Sequence, residues 1–400
     1  MITDQNYDII IAGAGIVGLS TAYQLLNVDP RLKIAVLEKE KNPGEHQTGR
    51  NSGVIHSGLY YKPGSLKAAN CVEGRKLLIE FARQEKIPHE ICGKIVVATD
   101  EKEIPHLEKI YHNGQQNGLK GLKKLSSADI PKYEPYCQGV SAIHVPETGI
   151  INFGQVALRL AEKITKSHGS KILTSHPVQN LTVHKDHTEI TAGNQTFKCR
   201  NFINCAGLYS DKIAKMAGIE TGAQIVPFRG DFYSITQKAE HKIRHLIYPV
   251  PDPAFPFLGV HFTRKIDGMK ECGPNATFVL KKEGYSRVNF NLNEAWDALT
   301  YKGTLKLFSR HWQKGIEEYR RAFSKKAFLH ALQRLIPDLH ADDIEKGRCG
   351  VRAVALDKEG NLIDDFKLLQ KDSSLHLINA PSPAATACLS IGKQLSEKVL

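Results

Sequence analysis

No two of the eight cysteines in this 400-residue chain stand as a C-x-x-C pair; they are scattered from Cys71 through Cys92, Cys137, Cys199, Cys205, Cys272 and Cys349 to Cys388. That scatter excludes a zinc module and a disulfide framework and suits a reducing cytoplasm, so no metal site is expected. No stretch approaches the roughly 20 apolar residues that span a bilayer. The opening MITDQNYDIIIAG has neither the basic start nor the apolar run of a secretory signal, and a cytoplasmic protein is expected. Internal repeats, low-complexity segments and Gly/Ser linkers are also missing, so any second domain must be woven into the first. What the chain has in excess is positive charge: 54 Lys and Arg against 42 Asp and Glu, a formal +12. This asks for an anionic partner, which could be nucleic acid, a membrane surface or a substrate. The charge is dispersed and no nucleic-acid module accompanies it, so no nucleic-acid partner is expected.

The start of the chain carries the strongest pattern. An apolar run from Tyr7 to Ala12 predicts a buried strand, GAGIVG a glycine turn, and the residues to Leu26 a helix; KIAVLEKE is then a second strand ending at Glu38. A strand, G-x-G-x-x-G, helix and acidic strand end in this order point to a dinucleotide site. Gly13 allows the tight turn, Gly15 lets backbone approach a pyrophosphate, Gly18 packs helix on strand, and Glu38 can accept from ribose hydroxyls. The helix N-terminus offers N–H groups and partial positive charge to the phosphates. A nicotinamide dehydrogenase would normally continue into a second half-fold. Here the chain enters TGRNSGVIHSGLYYK (48–62), with glycines at 49, 53 and 58, an order like that of glutathione-reductase-type FAD-binding domains.

The succession GAGIVG, GRNSGVIHSGLYY, INCAGLYSD, GVRA and NAPSPAATACLSIG resembles the FAD-dependent amino-acid-oxidase-like (DAO) superfamily. Within it, TGRNSGVIHSGLYYKPGSLKA, PFRGDFY, YPVPDPAFPFLGVHFT and GPNA are similar to the L-2-hydroxyglutarate oxidase/dehydrogenase branch. The resemblance covers essentially the whole chain. It implies bound FAD, expected to be noncovalent since no residue compels a linkage, a small dicarboxylate substrate, and an α/β (α+β overall) architecture: a Rossmann-like FAD-binding domain of glutathione-reductase type with an interleaved substrate domain on a mixed or antiparallel sheet. The expected division is 1–88, 146–226 and 345–400 for the cofactor, and 89–145 with 227–344 for the substrate. The resemblance also places Arg50, Asn51, Ser52 and Gly53 along the flavin and pyrophosphate, where side chains larger than glycine would collide. Val178 would meet the adenine, Ala206 and Gly207 the cofactor, and Ser382, Ala384, Ala385 and Thr386 the flavin's pyrimidine edge, where a helix N-terminus stabilises negative charge. Many superfamily members have glycines where this chain runs from Pro381 to Ala385.

Oxidising a 2-hydroxy acid calls for a base on the hydroxyl proton and cations on the carboxylates. His261 is the preferred base, since imidazole titrates near neutrality; His56 is its rival and could instead hold the flavin loop. Arg352 matches the superfamily's carboxylate-clamping arginine, whose planar fork makes two parallel hydrogen bonds. For the distal carboxylate, Arg229, Arg264, Lys62 and the tyrosines Tyr60 and Tyr61 stay open. In the basic region 305–335, Leu307, Phe308, Trp312, Ile316, Tyr319, Phe323, Phe328 and Leu332 recur at roughly helical spacing. One reading is a helix packed on its own domain with a solvated basic face; the other is a membrane-surface helix at which reduced flavin meets a quinone. A related flavoenzyme acting on another acid, an amine or a glycerol phosphate is the alternative function, with a tRNA-acting flavoprotein behind it.

Overall fold

The computed structural model describes residues 5–252 and 258–400. The aromatic–proline run at 253–257, part of the YPVPDPAFPFLGVHFT motif, lies outside the described residues.

Two large sheets carry the molecule. The first is built around the strand Gln5–Ala12, flanked in parallel by Ile34–Leu37 and by Gln195–Asn204, which it meets from Phe197 to Asn204. Ile9, Ile10 and Ile11 are all buried, as a central parallel strand covered on both faces must be. Lys171–Leu173 extends the sheet beyond Ile34–Leu37, while Thr188–Ala192 and Val178–Val183 extend it antiparallel on the other side. Ser374–Asn379 joins beside Gln195–Asn204 and pairs with Lys367–Lys371. Three helices stack on one face. Ile16–Val28 packs against Cys388–Glu397, which in turn meets Leu66–Gln84. Ser65 caps Leu66–Gln84 by accepting from the Ala68 N–H.

The second sheet is organised by Gln224–Ile235, which pairs antiparallel with Ile344–Leu356 along its whole length. Lys270–Gly273 leads from it to His261–Arg264, Leu246–Pro249, Lys94–Ala98 and Ser141–Val145. The strands of the two sheets therefore alternate along the chain. The chain returns to the first sheet later than expected: Ile344–Leu356, assigned from residue 345 to the cofactor domain, is a strand of the second sheet, and the first sheet resumes only at Lys367. The GVRA motif at 350–353 is thereby carried by the second sheet.

The basic region is not one helix. Leu292–Thr300, Lys302–Phe323 and Lys325–Gln333 follow one another, and His311 breaks the middle segment with φ −122° and ψ 21°. Its apolar residues divide accordingly. Leu307, Phe328 and Leu332 are buried, whereas Trp312, Ile316 and Phe323 are each more than half exposed.

Candidate active site

A cavity of about 1000 Å³ runs between the two sheets. One end is walled by the first turn and helix: Gly13, Gly15, Glu38, Val178, Ala206 and Gly207. Arg50, Asn51, Ser52, Ser382, Ala384, Ala385 and Thr386 line its middle, and His56, Tyr61, Lys62, His261 and Arg352 its other end. Gly18, Gly53, Arg229 and Arg264 are not on the wall.

The dinucleotide end is built from its own backbone. Gly13 has φ +101°, and a Cβ there would sit 2.6 Å from the carbonyl oxygen of Cys205. At Gly18 the Cβ would lie 2.0 Å from the Gly13 oxygen, so helix and strand could not close. Gly15 differs: its φ is −73°, open to any residue, and its Cβ would find only Thr48 Oγ1, at an ordinary 3.5 Å. Nothing in the protein requires glycine there, yet it lies on the wall, as a residue kept small for a bound group would. Glu38, buried, accepts from the N–H groups of Ala14 (2.8 Å) and Glu40 (2.9 Å), and Thr48 Oγ1 accepts from the Ile16 N–H. Thr48, overlooked in the sequence, thus caps the helix from the glycine loop. Among the described residues, the N–H groups of Gly15 and Val17, both on the wall, have no partner. These features fit a dinucleotide whose pyrophosphate lies on the turn and whose ribose lies by Glu38.

The 48–62 loop corrects one expectation. Its glycines answer mainly to the protein itself: a Cβ at Gly49 would meet the Gly44 oxygen at 2.9 Å, and at Gly53, with φ +74°, the Ile151 oxygen at 2.8 Å. Asn51 is spent on the same task, donating to the carbonyls of Gln47 and Thr48 and accepting from the Gly53 N–H. Arg50 stacks over Tyr285 at 4.1 Å. The loop is folded tightly on itself and only then offers Ser52 and His56 to the cavity.

At the far end, antiparallel pairing of Leu246–Pro249 with His261–Arg264 sets Tyr248 beside His261, ring centroids 4.0 Å apart. The Nδ1–H of His261 donates to the Gly259 carbonyl at 2.9 Å, which leaves Nε2 as the lone-pair nitrogen. Burial, with Arg352 and Lys94 adding positive potential, pushes the imidazole down to about 3, so it is neutral at physiological pH. His56 is likewise pushed down to about 3 by burial and by Lys94. Its backbone N–H donates to Thr386 Oγ1, and Thr386 Oγ1 donates to the Val54 carbonyl, tying the 48–62 loop to the C-terminal turn. Arg352 lies opposite Phe228 in the sheet; burial lowers its pKa, and Glu318 opposes that shift.

Two of the expected cations are engaged elsewhere. Arg229 donates through Nε and Nη2 to Asp231 and is 5% exposed; Arg264 is paired with Glu90. Tyr61 sits on the wall under Lys67, which pairs with Asp364, and Lys62 is exposed at the rim. The group Glu40, His46 and Glu283 has the spacing of a metal site, but the Lys39 ammonium pairs with Glu40 and Glu283 and supplies the positive charge.

A parallel sheet presenting a glycine turn to one end of a cavity, with a second sheet presenting histidine and arginine at the other, defines a dinucleotide-dependent oxidoreductase. The chain belongs to the FAD dependent oxidoreductase family, DAO, whose model matches residues 8–398. It is 47% identical over 396 residues to the L-2-hydroxyglutarate dehydrogenase of Indibacter alkaliphilus, covering 99% of each chain. It is 42% identical to the mitochondrial L-2-hydroxyglutarate dehydrogenase of Homo sapiens, covering 98% of this chain and 89% of that one. Among solved structures, the FAD-bound L-alpha-glycerophosphate oxidase of Mycoplasma pneumoniae shares the fold with a TM-score of 0.80 at 22% identity, over 99% of this chain and 95% of that one. The glycine oxidase of Geobacillus kaustophilus does so with a TM-score of 0.75 at 15% identity, over 99% and 95%.

Proposed function

We propose that this protein oxidises L-2-hydroxyglutarate to 2-oxoglutarate with FAD as its cofactor. The observation that carries the reading is His261: a buried, neutral imidazole with Nδ1 committed to Gly259 and Nε2 available, on the same cavity end as Arg352. FAD held along Gly13, Gly15, Glu38, Ser382 and Thr386 would supply the hydride acceptor for C2 of the substrate. Arg352 holds the C1 carboxylate in a two-pronged hydrogen bond and so fixes C2. His261 Nε2 accepts the hydroxyl proton as the C2–O bond becomes a carbonyl. Tyr248, stacked on the imidazole, holds its plane. FAD is bound noncovalently: Cys205, the cysteine on the wall, is buried, and burial pushes its thiol up to about 12, far from a reactive thiolate. Acid precipitation should leave the yellow colour in the supernatant.

The test is the visible spectrum of the purified holoenzyme under anaerobic conditions. L-2-hydroxyglutarate should bleach the flavin band and the D enantiomer should not; a flavin that neither enantiomer bleaches sinks the substrate assignment and leaves the family standing.

A membrane-linked electron acceptor is supported by a specific surface. Trp296, Leu305, Trp312, Ile316 and Phe323 are each more than half exposed, among Lys302, Lys306, Arg310, Lys314, Arg320 and Arg321. Exposed tryptophans and aliphatics ringed by cations suit an anionic lipid surface from which a quinone is reached. No helix of the described residues is long and apolar enough to cross a membrane, so the reading is of peripheral attachment at the cytoplasmic face. Sedimentation with anionic vesicles should pull down the wild type and leave W312A/F323A in solution; equal recovery of both would remove the membrane reading.

A further inference from the structure

Three lysines of the described residues are buried: Lys94, Lys242 and Lys282. Lys242 is paired with Asp343 at 3.0 Å and Lys282 with Asp211 at 2.7 Å. Lys94, 2% exposed, has no carboxylate within ion-pair distance among the described residues. Its polar partner is the hydroxyl of Tyr60 at 3.4 Å, and its ammonium lies 4.5 Å from the Tyr60 ring centre and 4.8 Å from that of Tyr248. An unpaired buried ammonium is costly, and two aromatic faces recover only part of its lost hydration. Such a charge is retained where an anion arrives to meet it.

The strand arrangement shows where the anion would be. Lys94–Ala98 runs parallel to Leu246–Pro249, and Lys94 shares a sheet face with Tyr248 and, one strand on, His261. Tyr60, Tyr248, His56 and His261 line the cavity; Lys94 stands one layer behind Tyr60. His261 feels positive potential from both Arg352 and Lys94. Two cations therefore act on the base, and Arg352 accounts for one carboxylate. Arg229 and Arg264 are committed to Asp231 and Glu90, and Lys67 to Asp364.

We propose that Lys94, acting through the hydroxyl of Tyr60, forms the receptor for the second carboxylate of a dicarboxylate substrate, an inference resting on the substrate reading above. With the ammonium donating to Tyr60 Oη, the phenolic O–H turns outward to donate into the cavity, and the lysine charge stands behind that hydrogen bond. Lys94 is thus a positioning residue and the determinant of dicarboxylate over monocarboxylate. Burial pushes the empty-site ammonium down to about 7, opposed by Cys71; Tyr60, Tyr248, His56, His261 and Cys71 are the titratable groups around it. A bound carboxylate restores the charge, so binding takes up a proton at higher pH.

The experiment uses the full-chain holoenzyme, with glutarate as dicarboxylate probe and butyrate as control, read by perturbation of the flavin spectrum and by thermal shift. Lys94→Met should weaken glutarate at least about 30-fold, the scale for truncating one partner of a buried charge pair, and leave butyrate within about threefold. Wild-type affinity for glutarate should fall by up to about tenfold per pH unit above neutrality, a dependence absent from the variant. Without ligand the variant should melt at or above the wild type, since it sheds an uncompensated charge. Tyr60→Phe, keeping the ring, should lose part of the glutarate affinity. Unchanged glutarate binding in Lys94→Met, or equal loss of glutarate and butyrate, would overturn the proposal. If glutarate binds through Lys94 but L-2-hydroxyglutarate does not bleach the flavin, the receptor stands and the substrate reading falls; bleaching by a Lys94→Met enzyme with wild-type KM gives the reverse.

Discussion

Gly15 and Gly18 stand three residues apart in one motif, and the structure predicts opposite consequences for the same added methyl group. At Gly15 the backbone is already in a conformation alanine adopts, and its Cβ would meet Thr48 Oγ1 at 3.5 Å. Gly15→Ala should therefore stabilise the apoprotein slightly, by about 0.4–1 kcal/mol through the loss of unfolded-state freedom. Its methyl would project into the cavity where a pyrophosphate must approach. Overpacking of that kind costs about 1–3 kcal/mol, so FAD affinity should fall roughly 5- to 150-fold. At Gly18 the methyl would lie 2.0 Å from the Gly13 backbone oxygen, a contact that no rotamer relieves. Gly18→Ala should lower the stability of the apoprotein itself by several kcal/mol, beyond the ordinary range of about 0.5–3 kcal/mol for single substitutions. The assays are urea unfolding of the apoproteins and flavin retained after desalting. A Gly15→Ala protein that keeps FAD with wild-type affinity, or whose apoprotein is as damaged as Gly18→Ala, would refute the argument that the protein leaves Gly15 small for a ligand.

His261→Gln should retain FAD and lower kcat by about 10²- to 10⁴-fold with little change in KM, and His56→Gln should cost far less; reversed outcomes in stopped-flow reduction would exchange their roles. Arg352→Lys, which cannot make the two-pronged contact, should raise KM for the substrate by about 10- to 100-fold, checked by steady-state kinetics. Acid should weaken the apoprotein through His261 and His376, both buried neutral and pushed down to about 3 and about 4. Their lowered folded pKa means that the unfolded chain binds more protons below the ordinary 6.5. Stability is then complete above that value and declines as pH falls toward 4. Between pH 6.5 and 5 the two together should remove about 3 kcal/mol, measured by urea unfolding across that range; a flat profile would count against the burial of both rings.

The first 40 residues could be read directly because they are local: an apolar run, a glycine turn, a helix and an acidic strand end follow in order, and Gly13, Gly15 and Glu38 are on the cavity wall as that order requires. The histidine and arginine were found by their motifs, but their partnership was not visible, because His261 and Arg352 are brought to one cavity by pairing of strands far apart in sequence. The choice among Arg229, Arg264 and Lys62 could not be made from the chain, since every arginine looks free until its carboxylate is known. Asp231 and Glu90 decide it in the fold. Lys94 gave no sequence signal at all: it begins an ordinary strand, KIVVA, and only the stacking of Tyr60 and Tyr248 around it turns a common residue into a buried charge. The glycine loop made the converse case, legible as unusual but misread in cause, because its glycines pack against Gly44 and Ile151. Sequence by itself determined what short-range geometry determines: the dinucleotide turn, the strand and helix periods, the family. Tertiary structure decided which charges are paired and which are left for a ligand, because pairing depends on side chains that approach through space, and spacing along a chain does not encode that distance.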